Sequence, residues 1–329
     1  MKFSLRTNND LTVAEFAEIC VAAEEAGFDQ LWISNDLMLR SAPVIIGYLA
    51  GLTSRIQLGT SIMNPYTVHP TELAMIAATA QEVSGGRFLL GVGAGAEEFL
   101  GWAGIERTKP LTTTLHAIAA IRSMLGHRDV NEADLPDWWS EDAALRFATD
   151  TPVPVYVGAM GPKMTQMAGR VADGALPLLY PPEHFTEARE HILAGLAEAG
   201  RDEADFDLPA CIWVSVSKDP IAGRRELAKK LAYFGPSISP ILLAKAGLTP
   251  ELFRPAADLA MAGDLEGAAD LIDDHMLTLG IAGSPDEVVD RCRSLVGLGA
   301  KHLSFGPPLG RTAVEGVRLL GAEVLPALR

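Results

Sequence analysis

The sequence predicts an α/β fold and, within that class, a (β/α)8 TIM barrel with insertions. Three observations carry the prediction. Short apolar runs alternate with helical periods from end to end, the pattern of βαβ units and a parallel sheet. The runs, such as Phe88-Leu-Leu-Gly-Val92, are continuously apolar rather than alternating, as in strands covered on both faces. Roughly eight such units fit into 329 residues, which favours a closed barrel over an open doubly wound sheet.

Lys2 to Arg6 reads as the first strand. Thr12 to Ala26 reads as an amphipathic helix, with Val13, Phe16, Ala17, Cys20 and Ala23 at three- and four-residue steps. Gly27 closes it, since glycine accepts the left-handed conformation of a helix end. Gln30 to Ser34 is the second strand, Ala42 to Leu52 a helix and Ile56 to Met63 the third strand. His69-Pro70 opens a helix reaching Val83, with the proline where a missing N–H is harmless. Phe88 to Val92 and Val153 to Val157 are the next strands, the latter followed by a helix from Pro162 to Val171. A short strand after Asp173, a helix from Pro182 to Ala199 and a strand from Leu208 to Ser217 follow. His302 to Phe305 and a helix from Thr312 to Leu325 end the series.

Two stretches break the alternation, a polar irregular one near 127–151 and an extra, helical one near 236–262. Neither is rich in glycine and serine, so both read as insertions on one domain spanning 1–329 rather than as linkers.

The net charge of −15 argues against nucleic acid or an anionic membrane as partner, because both demand a basic face. A polyanionic ligand would need a mouth that is locally neutral or basic. Cys20, Cys211 and Cys292 stand far apart, which suits buried thiols in a reducing cytoplasm. No stretch reaches the length of a membrane span, and a cytoplasmic location is expected.

In a parallel barrel the reacting groups gather in the loops after the strands. Gly158-Ala-Met-Gly-Pro-Lys-Met164 follows a strand and runs through Pro162 into a helix. Its glycines and helix N-terminus suit an anion, as a phosphate cradle does; a tight turn with a surface lysine explains it as well. Gly91-Val-Gly-Ala-Gly95, including Gly93, reads either as room for a planar ring or as tight packing. Asp36 and Glu97 are loop acids that burial could convert to acid–base groups, or that water simply solvates. The histidines form no HxxxH or HExxH spacing, and no GxSxG elbow or spaced Ser/His/Asp set is present. An enzyme-like barrel with neither nucleophile nor metal signal points to an organic cofactor.

Two longer runs resemble the luciferase-like oxidoreductases: Leu58-Gly-Thr-Ser-Ile-Met-Asn-Pro-Tyr-Thr-Val-His-Pro70, continued by Glu82 to Gly95, and Pro154 to Met164, continued by Ala168 to Gly174. With the tail Phe305-Gly-Pro-Pro-Leu-Gly-Arg311, the chain is most similar to the branch of F420-dependent methylenetetrahydromethanopterin reductases. The resemblance implies a luciferase-like barrel, usually a homodimer, with the deazaflavin F420, or alternatively FMN, across its mouth. Hydride transfer to or from a small-molecule substrate follows from F420, and an oxygen-activating monooxygenase from FMN; a non-catalytic flavin-binding relative is a third reading. The resemblance also implies a non-prolyl cis peptide between Ser61 and Ile62, with the main chain bulging behind the cofactor ring. Asn64 would approach the ring, and Met160, Gly161, Lys163 and Met164 would hold the phosphate-bearing tail.

Departures from the family pattern mark the substrate side. Asn35-Asp36 stands where relatives have Asp-His, Arg6 where the reductases carry a glutamate, and Ala96 where some relatives place an acid, with Glu97 one step later. Asp36, Asn35, Arg6 and Glu97 are therefore the candidate catalytic residues, Arg6 and Asp36 as a facing ion pair. These changes point away from methylenetetrahydromethanopterin itself as the substrate.

Overall fold

A computed structural model describes residues 1–127 and 129–329. Nine parallel strands make one sheet: β1 Lys2–Thr7, β2 Gln30–Ile33, β3 Gln57–Thr60, β4 Phe88–Val92, β5 Val155–Val157, β6 Gly174–Ala175, β7 Pro209–Val216, β8 Ile281–Gly283 and β9 His302–Leu309. Their order is β6-β5-β4-β3-β2-β1-β9-β7-β8. Isolated bridges Gly174–Asp207 and Leu178–Cys211 connect the β6 side to β7, without a continuous ladder. The alternation read from the sequence is thus present as a parallel α/β sheet. Its ninth strand, β8, was not expected, because three residues around a glycine give no apolar run.

The first helix illustrates why local sequence suffices for most elements. Thr12 caps the helix Val13–Ala26 in a reciprocal box with Glu15, and Gly27 ends it at φ 82°. Phe16, Ile19, Cys20 and Ala23 from its inner face enter the core beside Phe3, Leu5, Leu31 and Phe305 of the sheet. Three long helices were passed over in the sequence, Pro110–Met124, Pro220–Phe234 and Pro285–Gly297, together with short ones such as Glu97–Trp102 and Leu265–Asp270. The expected extra segment is helical, including Pro240–Lys245 and Pro250–Met261, and packs a second apolar cluster around Phe253 and Leu231. Between 127 and 151 the described residues hold only one short 3-10 turn, Glu132–Asp134. No helix among the described residues is long and apolar enough to cross a membrane.

At the N-terminal ends of the strands lies an arrangement that sequence spacing did not suggest. His302 Nδ1 meets Asp207 Oδ1 at 2.9 Å, and its Nε2 meets Ser4 Oγ at 2.8 Å. Tyr156 OH and Lys2 Nζ both donate to Asp207 Oδ2 at 2.8 Å. The order Ser–His–Asp copies that of a hydrolase triad, but Ser4 is wholly buried and substrate cannot reach it. Burial alone would raise the Asp207 pKa; the His302 and Lys2 charges and hydrogen bonds hold it well below the usual carboxylate range. The network ties β1, β5 and β9 to the start of β7.

Candidate active site

At the opposite, C-terminal ends of the strands is a cavity of about 650 Å³. It is lined from β1 by Arg6, from beyond β2 by Asn35 and Asp36, from beyond β3 by Ser61, Ile62 and Asn64, and from beyond β5 by Gly158, Met160, Gly161 and Met164. Phe99, Leu100, Leu176 and Leu178 supply apolar walls. Most of the residues singled out in the sequence therefore meet at one place, because a parallel sheet delivers all its βα loops to the same end.

Ile62 forms part of the cavity wall next to a Ser61–Ile62 peptide that is cis, as the resemblance implied. Its side chain fills the space left by missing Cβ atoms just beyond the ends of β4 and β5. A Cβ on Gly93 would stand 3.1 Å from Ile62 Cγ1, and one on Gly158 would stand 2.9 Å from Ile62 Cγ2. A Cβ on Gly91 would strike the Thr60 carbonyl oxygen. Gly91 and Gly93 thus serve close packing, Gly93 supporting Ile62 rather than lining the cavity, whereas Ala94 and Gly95 of the same run do line it.

Asn64 is buried, and its Oδ1 accepts from the backbone N–H groups of Tyr66 at 3.2 Å and Thr67 at 3.0 Å. That fixes the amide plane and leaves Nδ2 as a donor at the cavity. On the far side, the helix Pro162–Val171 starts at Gly161 with no side-chain cap. The first amides of that helix are unclaimed by a cap where Gly161 and Met164 border the cavity, a ready anion site.

The substrate-side residues fall out differently. Asp36 lines the cavity, and burial, only partly offset by a hydrogen bond from Ser34 and the Lys230 charge, raises its pKa. Asn35 Oδ1 accepts from the Ala42 N–H at 3.0 Å, so its side chain holds the start of the next helix. Arg6 is buried, donates from Nη2 to the Ile212 carbonyl at 2.8 Å, and leaves Nε without a partner. The expected Arg6–Asp36 ion pair does not form, since no carboxylate among the described residues comes within bonding reach of Arg6. Glu97 is exposed and bound to Arg107 at 2.6 Å, outside the cavity. Lys163 is also exposed and does not line it.

Two cations were missed, Arg107 in the cavity lining and Lys230 outside it. Arg107 lines the cavity and donates to the Gly95 carbonyl at 3.0 Å. Lys230, on the helix Pro220–Phe234, holds its ammonium 3.8 Å from the Phe234 ring centre and 5.2 Å from that of Trp213. Its neighbour Lys229 pairs with Glu226 and Glu266, whereas Lys230 has no carboxylate within bonding reach among the described residues. Only the omitted helix could have flagged it. Cys211 reaches the cavity, but burial pushes its thiol up and away from reactivity. No cluster of metal-ligating side chains occurs among the described residues.

The chain is similar to known proteins over nearly its whole length. The family model described as luciferase-like monooxygenase matches residues 2–302. The chain belongs to the luciferase-like family. It is 33% identical to the 5,10-methylenetetrahydromethanopterin reductase of Archaeoglobus fulgidus, covering 100% of each chain. It is 31% identical to the F420-dependent glucose-6-phosphate dehydrogenase of Nakamurella multipartita, over 96% of this chain and 93% of that one. The coenzyme F420-dependent tetrahydromethanopterin reductase structure from Methanopyrus kandleri superposes with a TM-score of 0.90 at 27% identity, covering 100% of this chain and 99% of that one.

Proposed function

We propose that this chain is an F420-dependent oxidoreductase, with the cofactor in the cavity and a small-molecule substrate over it. The observation that carries the reading is the convergence on one cavity of an apolar wall at Ile62, a fixed amide at Asn64 and an uncapped helix at Gly161. F420-dependent relatives covering nearly the whole chain support it. When bound, the deazaflavin would exchange hydride with the substrate.

This chain's residues do the rest. Ile62, with Ser61 beside it, packs against the ring, and Asn64 donates to it. Gly161, Met164 and the Met160 turn hold the tail through main-chain N–H groups. Asp36, kept toward its neutral form by burial, sits where it can hold or give up a proton at the substrate. We also read the bridges between the β6 side and β7 as closing an eight-stranded barrel, with β8 outside it. Exposed Val44 and Tyr48 of one helix and Met75 of the next, 73%, 50% and 48% accessible, suit a homodimer face.

Equilibrium titration with F420 and with FMN tests the reading. F420 is expected to bind more tightly; tighter FMN binding with oxygen consumption on reduction would replace it with a monooxygenase. Lys163→Ala is expected to lower F420 affinity only at low ionic strength, because an exposed lysine acts through a screened field.

A further inference from the structure

Arg6 presents an unresolved charge. The residue is 7% exposed, and its guanidinium has no carboxylate within bonding reach among the described residues. Gly306 makes the room for it, since a Cβ there would collide with Nη2. A buried cation is costly unless something pairs with it, and the protein supplies only the Ile212 carbonyl.

Lys230 is a second cation that forms no ion pair among the described residues. Aromatic faces of Phe234 and Trp213 hold its ammonium in place, a contact that tolerates desolvation. Burial lowers its pKa to about 8, with Arg6 pushing the same way and Asp10 and Asp36 opposing. Among the charged lining residues, Arg107 is already neutralised by Glu97. Asp36, the remaining charged group of the lining, is held toward its neutral form by burial and forms no pair with Arg6, so the positive charge without a bonded carboxylate lies on the Arg6 side, away from the helix start that suits the cofactor tail.

We propose that Arg6, in the cavity lining, and Lys230, outside that lining but held against Trp213 next to the Ile212 carbonyl that Arg6 bonds, form a subsite for an oxyanion, a carboxylate or phosphate carried by the substrate. This rests on the reading of the cavity as a cofactor and substrate site, and deepens it by naming the substrate class. Arg6 supplies the directed donor from Nε, and Lys230 a point charge held by its two aromatic neighbours.

The test is calorimetric titration of malonate and of inorganic phosphate into the protein, with F420 added first and without it, at pH 7 and pH 9. F420 binding itself is measured separately. Saturable binding of at least one anion is expected to survive F420 addition. Lys230→Met is expected to weaken it at least about ten-fold, the scale of one lost charge-assisted contact. It should also weaken from pH 7 to pH 9 as Lys230 loses its proton, and this fall should vanish in Lys230→Met. The better of the two anions identifies the substrate group. Arg6→Gln should weaken binding similarly, and Lys230→Met serves if that variant fails to fold. No anion binding, or binding indifferent to Lys230→Met and to pH, overturns the subsite even if F420 binds. Anion binding that depends on Lys230 while F420 does not bind upholds the subsite and overturns the cofactor reading.

Discussion

Asp207→Ala is expected to destabilise the fold by about 3–5 kcal/mol, the usual cost of removing one partner from a buried charged network. Three donors converge on this carboxylate, and two of them, on His302 and Tyr156, are buried and would be left without an acceptor. Lys2 is more exposed and contributes little by itself. The network joins strands distant in sequence, so its loss should lower the cooperative unfolding midpoint rather than fray one edge. Because the folded pKa is depressed, the stabilisation is fully present above the unfolded aspartate value near 4 and is lost as pH falls toward the folded value. The difference in urea midpoint between the wild type and Asp207→Asn should therefore narrow below about pH 4. A gap unchanged from pH 5 to pH 3 would mean that the carboxylate charge contributes nothing there.

How much of this was legible in the sequence depends on whether the determinant is local. Helix boundaries at Thr12, Gly27 and Pro162 were readable because caps and prolines act within a few residues. The gathering of Asp36, Asn64 and Gly161 was readable because parallel topology alone sends strand-end loops to one face. The triad-like network was not, since Ser4, Asp207 and His302 meet only through the register of β1, β7 and β9. Nor was the role of Gly93: a glycine that admits a ring and one that admits Ile62 look alike until the neighbouring strand is placed. The missing Arg6–Asp36 pair has the same origin. Adjacent strand ends bring two residues near, but side-chain direction decides whether they touch, and Arg6 turns toward Ile212 in β7.

Gly158→Val is expected to reduce F420 affinity about 100-fold, or about 3 kcal/mol, the upper range for overpacking a well-filled site. Gly158 lines the cavity, and its missing Cβ leaves the gap taken by Ile62, with 2.9 Å between the would-be Cβ and Ile62 Cγ2. A branched side chain at this point must push Ile62 off its rotamer or project into the cavity itself. Either outcome takes volume from the wall where the ring is placed. The glycine stands just beyond β5 rather than inside it, so stability should change far less than binding. A double substitution identifies the cause. Ile62→Ala in the Gly158→Val background removes the struck side chain, so its affinity should exceed that expected from adding the two single losses. Strict additivity would mean that Ile62 is not the group displaced. Unchanged binding in Gly158→Val, at unchanged unfolding midpoint, would place the ring elsewhere and leave the uncapped helix at Gly161 as the remaining anchor.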